Sequence, residues 1–210
     1  MGFRGNYRNR IIMKHKTKQC LYLIAFSILL FSCGSIGKLG NSTKIERGTI
    51  LKYIVNEASP YDVYVRAFEK DSIEFKYQFD DPEAWGIIQM NDWALEFGPN
   101  LKNYFPEYQE TLNLEEQTAV WVARDIFRKL KQGMEVGMST GFANSWKLKG
   151  SETYSFEASD GENYDLPVIV ITDATESQEI WIHDDIDNPL IVMMMVDFRI
   201  ELVDVSFTSL

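Results

Sequence analysis

The stretch Gly137-Met138-Ser139-Thr140-Gly141 has the G-x-S-x-G spacing of a nucleophile elbow. In such an elbow the glycines allow a sharp backbone turn, and the serine hydroxyl stands where a histidine can take its proton. Asp173 and His183 follow in the order serine, aspartate, histidine, and His183 is the one histidine after position 15. The chemistry implied is acyl transfer, with Ser139 as nucleophile, His183 as base and Asp173 holding the imidazole. An elbow also needs a strand before the serine and a helix after it, on a largely parallel sheet. Downstream, FANSWKLKG carries no helical apolar face, and the surrounding pattern is antiparallel. Gly137 and Gly141 therefore read as shaping a loop between strands, and no catalytic residue is assigned. A serine hydrolase stays as the least favoured alternative, and the chain is not read as an enzyme.

The run His183-Asp184-Asp185-Ile186-Asp187-Asn188 offers oxygens of the kind that bind calcium. It lacks the glycine and the distal glutamate of an EF-hand loop, and Asp and Asn dominate turns for local reasons. Asp80-Asp81-Pro82-Glu83 reads as a turn on the same grounds. Gly34-Ser35-Ile36-Gly37-Lys38-Leu39-Gly40 is glycine-rich and contains Gly-Lys, but a phosphate loop needs four residues between its glycines and Ser or Thr after the lysine. That stretch reads as a flexible tether. No metal site and no cofactor motif is assigned.

The amino end carries a different signal. Residues 1–20 hold Arg4, Arg8, Arg10, Lys14, Lys16 and Lys18 with no Asp or Glu, and an 11-residue apolar run, Leu21–Phe31, follows. A membrane-spanning helix needs about 20 apolar residues. A basic stretch before a short apolar core is a secretory signal instead. Met13 opens the more typical signal, so the expected start of translation is Met13, with residues 1–12 an extension, and Met1 is the alternative.

The end of that segment, Leu30-Phe31-Ser32-Cys33-Gly34, resembles the lipobox of bacterial lipoproteins. Phe31 is bulkier than the residue usual in that family. The resemblance implies removal of residues 1–32, acylation of Cys33 and a tether over 33–45. Each buried methylene contributes about 0.8 kcal/mol, and a single chain anchors only marginally. The several chains implied here make the anchor effectively permanent. Residues 34–43 hold no acidic cluster of the kind that marks surface export in some groups. The expected location is the cell envelope, on the periplasmic face of the outer membrane.

Composition narrows the remaining classes. Residues 33–210 are the length of one ordinary domain with a real core. Cys20 leaves with the signal and Cys33 carries lipid, so no thiol remains for a disulfide or a thiolate metal site. The whole chain has net charge −10, and removing six basic residues with the signal leaves −16. That argues against nucleic acid, which rewards Lys and Arg facing phosphates.

The elements that must position any site are strands. Ile73-Glu74-Phe75-Lys76-Tyr77-Gln78-Phe79 alternates cleanly, with four apolar side chains on one face. Residues 49–57, 61–70 and 85–90 join it in a four-stranded meander, with turns at 58–60 and 80–82. Asn91–Phe97 suggests a short helix. Residues 117–123 read as a strand, and 124–133 as a two-turn helix capped by Gly133 and crossing an end of the sheet. Further strands are read at 134–138, 145–150, 153–158, 166–172 and 179–183. The run 190–207 reads as one long strand, paired with 180–183 through the turn at 183–189. Its parity flips after Leu202, which predicts a β-bulge or a strand that turns a corner.

The predicted architecture is a single, mostly β (α+β) domain over 46–210: a curved antiparallel sheet or open half-barrel of about ten strands with one or two short helices. This arrangement resembles the half-barrel lipoprotein carriers of the LolA and LolB type, in which a curved sheet wraps over helices. The stretch Trp121-Val122-Ala123-Arg124-Asp125-Ile126-Phe127 resembles a strand-then-helix element of uncharacterised lipoproteins. Trp85, Trp93, Trp121, Trp146 and Trp181 are candidates to line a cavity, with Met193, Met194 and Met195 as a deformable wall. The expected function is an anchored binding module for an apolar ligand or acyl chain. The alternative is an accessory lipoprotein that binds another envelope protein.

Overall fold

The structure is a computed structural model that describes residues 44–103 and 108–207. The expected signal peptide and Cys33 lie outside the described residues. Within the described residues thirteen strands and two helices follow in order, and eleven of the strands form one curved sheet that stays open.

The meander is present as β1 (Thr49–Val55), β2 (Ser59–Phe68), β3 (Ser72–Phe79) and β4 (Trp85–Asn91), each antiparallel to the next. The first turn differs from the sequence reading. It runs through Asn56 and Glu57, at φ 49° and 64°, and Ser59 and Pro60 already belong to β2. Two successive positive φ values match the right-handed twist of the flanking strands, so this local geometry outweighs the proline signal.

Helix α1 (Asp92–Phe97) starts where Asn91 Oδ1 accepts a hydrogen bond from the Ala94 amide at 2.8 Å. Such a cap contributes about 1 kcal/mol. A short parallel pair, β5 (Asn100–Leu101) with β7 (Gln117–Thr118), lies outside the large sheet. β6 (Thr111–Leu114) adds to the sheet parallel to β4. The strand read over 117–123 shrinks to β7. Val120 has φ 68°, which breaks the extension, and Ala119 and Trp121 are buried. This segment is apolar because it covers the sheet rather than because it joins it.

Helix α2 (Arg124–Lys131) ends at Gln132, and Gly133 takes the left-handed conformation at φ 75°. The Gly133 amide then reaches the Leu130 carbonyl at 2.9 Å, the expected glycine termination. Arg124 and Arg128 both pair with Glu96, which ties α2 to α1. Burial opposes ionisation of Glu96, but the two guanidinium groups override it and hold its carboxyl below the usual range.

After β8 (Val136–Gly137), β9 (Ser145–Glu157) is a single strand where two were read. Val170 faces Gly150 and Ile171 faces Leu148, so Lys149 bulges out and bends one strand rather than ending it. β10 (Asn163–Asp173), β11 (Glu179–His183), β12 (Ile191–Met195) and β13 (Arg199–Phe207) complete the sheet. The long strand read over 190–207 is in fact β12 and β13, an antiparallel pair joined at 196–198 by a turn in which the Val196 amide donates to the Phe198 carbonyl at 2.9 Å. Only Asp197 interrupts the apolar run there, too weak a signal to mark a turn. The predicted bulge falls at Val203: Tyr53 pairs with Leu202 and Lys52 with Asp204.

The strand order is β6-β4-β3-β2-β1-β13-β12-β11-β10-β9-β8, so the first and last long strands meet in the middle. Period two places Tyr53, Val63, Phe75 and Ile88 on one face, here called inner. Ala94, Leu95 and Trp121 pack into the cluster that these residues form, with the Trp121 ring 5.7 Å from Phe75 and 5.9 Å from Phe68. Ile126, Phe127 and Leu130 of α2 pack with Ile169, Ile171 and Ile180 of the other half. Helix α2 thus lies on the inner face rather than across an end of the sheet. Each large apolar side chain buried this way stabilises the fold by about 1.5–3 kcal/mol.

Candidate functional site

Between these two covered areas the inner face carries a pocket of about 410 Å³, open on one side. Its floor comes from two rows of cross-strand neighbours. In one row Phe79, Tyr61 and Tyr53 sit opposite one another on β3, β2 and β1. The ring centroids are 5.1 Å apart for Tyr61 and Phe79 and 5.8 Å for Tyr53 and Tyr61. In the other row Val55, Ile200 and Met194 sit opposite one another on β1, β13 and β12. Ile191 and Phe198 complete that side. The far wall comes from the connecting segments: Leu101, Lys102, Asn103, Tyr108 and Val120. Asn56, in the β1–β2 turn, stands at the margin and accepts the Arg199 amide on Oδ1 at 3.0 Å.

The lining is overwhelmingly apolar. Burial pushes the Tyr53 and Tyr61 phenols well above the usual tyrosine range, so their surroundings disfavour charge. The Tyr53 hydroxyl donates to the Ile191 carbonyl at 2.9 Å, which leaves that part of the floor saturated. The Asn103 amide nitrogen donates to the Thr140 carbonyl at 2.6 Å, so its side chain is held in place. An arrangement of this size and polarity suits a small apolar molecule or a hydrocarbon chain, and the volume falls in the range of ~300–1,000 Å³ usual for such sites.

The cavity residues expected from sequence are mostly elsewhere. None of the five tryptophans lines the pocket. Trp121 and Trp146 are buried core, Trp93 is exposed, and the Trp181 ring packs 6.3 Å from Tyr154. Of the three methionines, Met194 alone lines it; Met193 and Met195 alternate to the other face. Tryptophans fill the core because each buries a large surface while its indole N–H finds an acceptor, as Trp146 Nε1 does at the Met138 carbonyl, 2.9 Å away.

The residues of the apparent triad do not come together. Asp173 lies at one end of the β10–β11 hairpin and His183 at the other. His183 pairs with Val168, five residues from Asp173, a separation of about 17 Å along the strands. Ser139 bridges to Asn100, and its amide donates to the Pro99 carbonyl at 3.1 Å. The segment after it closes as a turn, in which Thr140 Oγ1 accepts the Ala143 amide at 3.1 Å and Gly141 has φ 82°. No helix follows, so this is a loop between strands rather than an elbow. Asp173 is occupied locally. The Thr175 hydroxyl and the amides of Gln178, Thr175 and Ser177 hold its carboxyl down at about 2.

The 183–188 run is likewise committed to the fold. Asp184 takes Lys131 at 2.7 Å, and Asp185 Oδ1 accepts the Asp187 amide at 3.0 Å. Asn188 Oδ1 accepts Trp121 Nε1 at 2.8 Å. Among the described residues no group of three or more His, Cys, Asp or Glu side chains converges on a point.

Of the pocket residues, sequence reasoning singled out Met194 alone. Alternation places Tyr53, Tyr61, Phe79 and Ile200 on the apolar face, but nothing local says which part of that face the connecting segments leave uncovered. No protein-family model, no curated protein and no solved structure matches the chain.

Proposed function

We propose that this chain is a lipid-anchored envelope protein that holds an apolar ligand, or the acyl chain of one, in the pocket at the middle of its sheet. The observation that carries the reading is the apolar floor of Tyr53, Tyr61, Phe79, Met194 and Ile200, open on one side. The anchor is the acylated Cys33 expected from the lipobox resemblance. The role is binding, with no catalytic step.

Native mass spectrometry of the full chain, released from its membrane in mild detergent, tests this. The expected result is a single adduct with the mass of an amphiphile, lost on denaturation and lost in Met194→Trp, which fills the pocket. A bare mass, or an adduct that Met194→Trp retains, overturns the pocket reading. A bare mass would move belief to the accessory role, which draws support from Trp93 and Phe97. These rings, 6.0 Å apart on α1, are each about half exposed, at 47% and 50%.

A further inference from the structure

We infer that the outer face of the β1–β4 meander lies on the bilayer that holds the anchor, at the level of the lipid headgroups; the inference rests on the anchor in the reading above. A sheet face turned to water carries polar side chains. This one does so only in part. Ile50, Tyr64 and Ile87 sit in one cross-strand row with Lys76, and Trp85 sits in the next row with Lys52, Asp62 and Gln78. The four apolar side chains are partly exposed, on the side opposite Tyr53, Tyr61 and Phe79. The Lys76 ammonium stands over two of the rings, 5.0 Å from the Trp85 centroid and 5.9 Å from that of Tyr64. At the Thr49 end of β1 the face dips into a depression of about 470 Å³ that Arg47, Ile50, Tyr64, Arg66 and Glu74 share.

Charge and connectivity name the occupant. Arg47, Lys52, Arg66 and Lys76 share this side with two acids, Asp62 and Glu74, the reverse of the chain's balance of 21 bases to 31 acids. Trp and Tyr beside Lys and Arg are the composition of a membrane–water interface, where the rings lie among the headgroups and the cations reach the lipid phosphates. The exposed pair Trp93 and Phe97 on α1 lacks that company: Asp92 is its neighbour, and Glu96 holds Arg124 and Arg128. The chain also enters the sheet at this end. Lys44 leads directly into β1, and with residues 34–43 between them Cys33 and Lys44 stand at most about 40 Å apart. So short a tether keeps the bilayer at high effective concentration, and contacts that are weak one by one are then enough. With its outer face down, the meander turns the pocket on its inner face away from the membrane, so the ligand enters from the aqueous side.

The test uses the full chain with its anchor in nanodiscs of phosphatidylethanolamine and phosphatidylglycerol. No cysteine follows Cys33, so an introduced one is the single free thiol once Cys33 is acylated. A fluorophore is placed at Ile50→Cys or Ile87→Cys on the outer face, at Asp92→Cys on α1, or at Lys129→Cys on α2, each checked for an unchanged melting temperature. The quenchers are a nitroxide on the lipid headgroup and iodide in the water. An interfacial element sits about 5–10 Å into the headgroup region, so the nitroxide should quench the two outer-face labels at least about twofold more than the two helix labels, and iodide correspondingly less. Ile87→Glu should abolish nitroxide quenching of the label at Ile50→Cys while the protein stays on the disc through its anchor. Equal nitroxide quenching at all four sites, or the strongest at Asp92→Cys, overturns the inference and leaves the anchor and the pocket reading standing. Iodide shielding of the outer-face labels without nitroxide quenching also overturns it, in favour of cover by the tether or by a second copy. If Cys33 carries no acyl mass, the anchor fails and this inference fails with it.

Discussion

Replacing Asn188 with alanine probes the strap that holds the inner-face cover against the sheet. Asn188 Oδ1 is the acceptor for Trp121 Nε1 at 2.8 Å, and its own carbonyl faces His183 Nδ1 at 3.2 Å. The backbone of 120–122 is bound to the same loop: the Val122 amide reaches the Pro189 carbonyl at 3.0 Å, and the Ile191 amide reaches the Val120 carbonyl at 2.8 Å. Trp121 is 1% exposed, so water cannot replace a lost acceptor. Leaving one buried donor unsatisfied costs about 1–3 kcal/mol. Asn188 is itself buried, and the small void left by its amide adds to that cost. We expect Asn188→Ala to lower unfolding stability by about 2–3 kcal/mol in urea titration. For a domain of this size the melting temperature falls by about 4–12 °C.

The cycle with Trp121→Phe makes the reasoning refutable. A phenyl ring keeps part of the packing against Phe68 and Phe75 but has no N–H to satisfy. On that background Asn188→Ala should cost about 1 kcal/mol less than on the wild type. An equal cost on both backgrounds would refute the hydrogen bond as the source of the effect. A calcium titration of the wild type is the second arm. If 183–188 bound the ion, calcium would raise the melting temperature by mass action. An unchanged temperature is expected, because Asp184, Asp185 and Asn188 already bond within the protein.

Two further perturbations have signs set by the structure. The Asp173 carboxyl is depressed to about 2, chiefly by the Thr175 hydroxyl and then by three turn amides. A depressed folded pKa stabilises above the unfolded value of about 3.9, and that contribution is lost as pH falls toward about 2. Urea midpoints of wild type and Asp173→Asn should therefore converge over that window, and a gap that is constant with pH would contradict this. Gly86 faces Tyr77 across β3 and β4, and a Cβ there would lie 2.5 Å from the Tyr77 hydroxyl and 2.7 Å from its ring. Tyr77 is fully buried and has no room to swing away. Gly86→Ala should destabilise by about 1–3 kcal/mol through overpacking, although alanine suits a strand better than glycine. A stabilised variant in the same titration would show that the ring yields.

How far the sequence could be read depended on whether a signal was local. The alternation of 73–79 and the glycine end of α2 are properties of adjacent residues, and both appear where expected. The bulge at Val203 was visible because a one-residue slip exchanges the faces of everything after it. The misreadings have a common cause. The segment 117–123 and the run 190–196 are apolar without a period that survives burial on both sides. In the first case the residues cover a sheet, in the second they end one strand before a turn, and apolar character alone cannot separate these from a continuous strand. The G-x-S-x-G stretch failed for the converse reason: its spacing is local, while an elbow needs the parallel sheet that this topology lacks.

The pocket was the least legible feature because it is set by what does not touch the sheet. Two covers lie on the inner face, one around Trp121 over β2 and β3, the other along α2 near β10 and β11. They are consecutive in the chain, since Trp121 precedes the helix by only three residues. A span that short cannot also blanket the strands between, where β1 and β13 meet. Closing the gap would take either a longer connector or a narrower sheet. The chain instead fills the floor with side chains that need little further cover: Tyr53 is saturated by the Ile191 carbonyl, and Tyr61 packs between Tyr53 and Phe79. An apolar floor left open costs stability for every square ångström that water touches. On the proposed reading, a ligand that covers it would recover that cost, and this would be the source of its affinity. The stabilisation by a bound amphiphile should accordingly disappear in Met194→Trp, whose indole occupies the space itself.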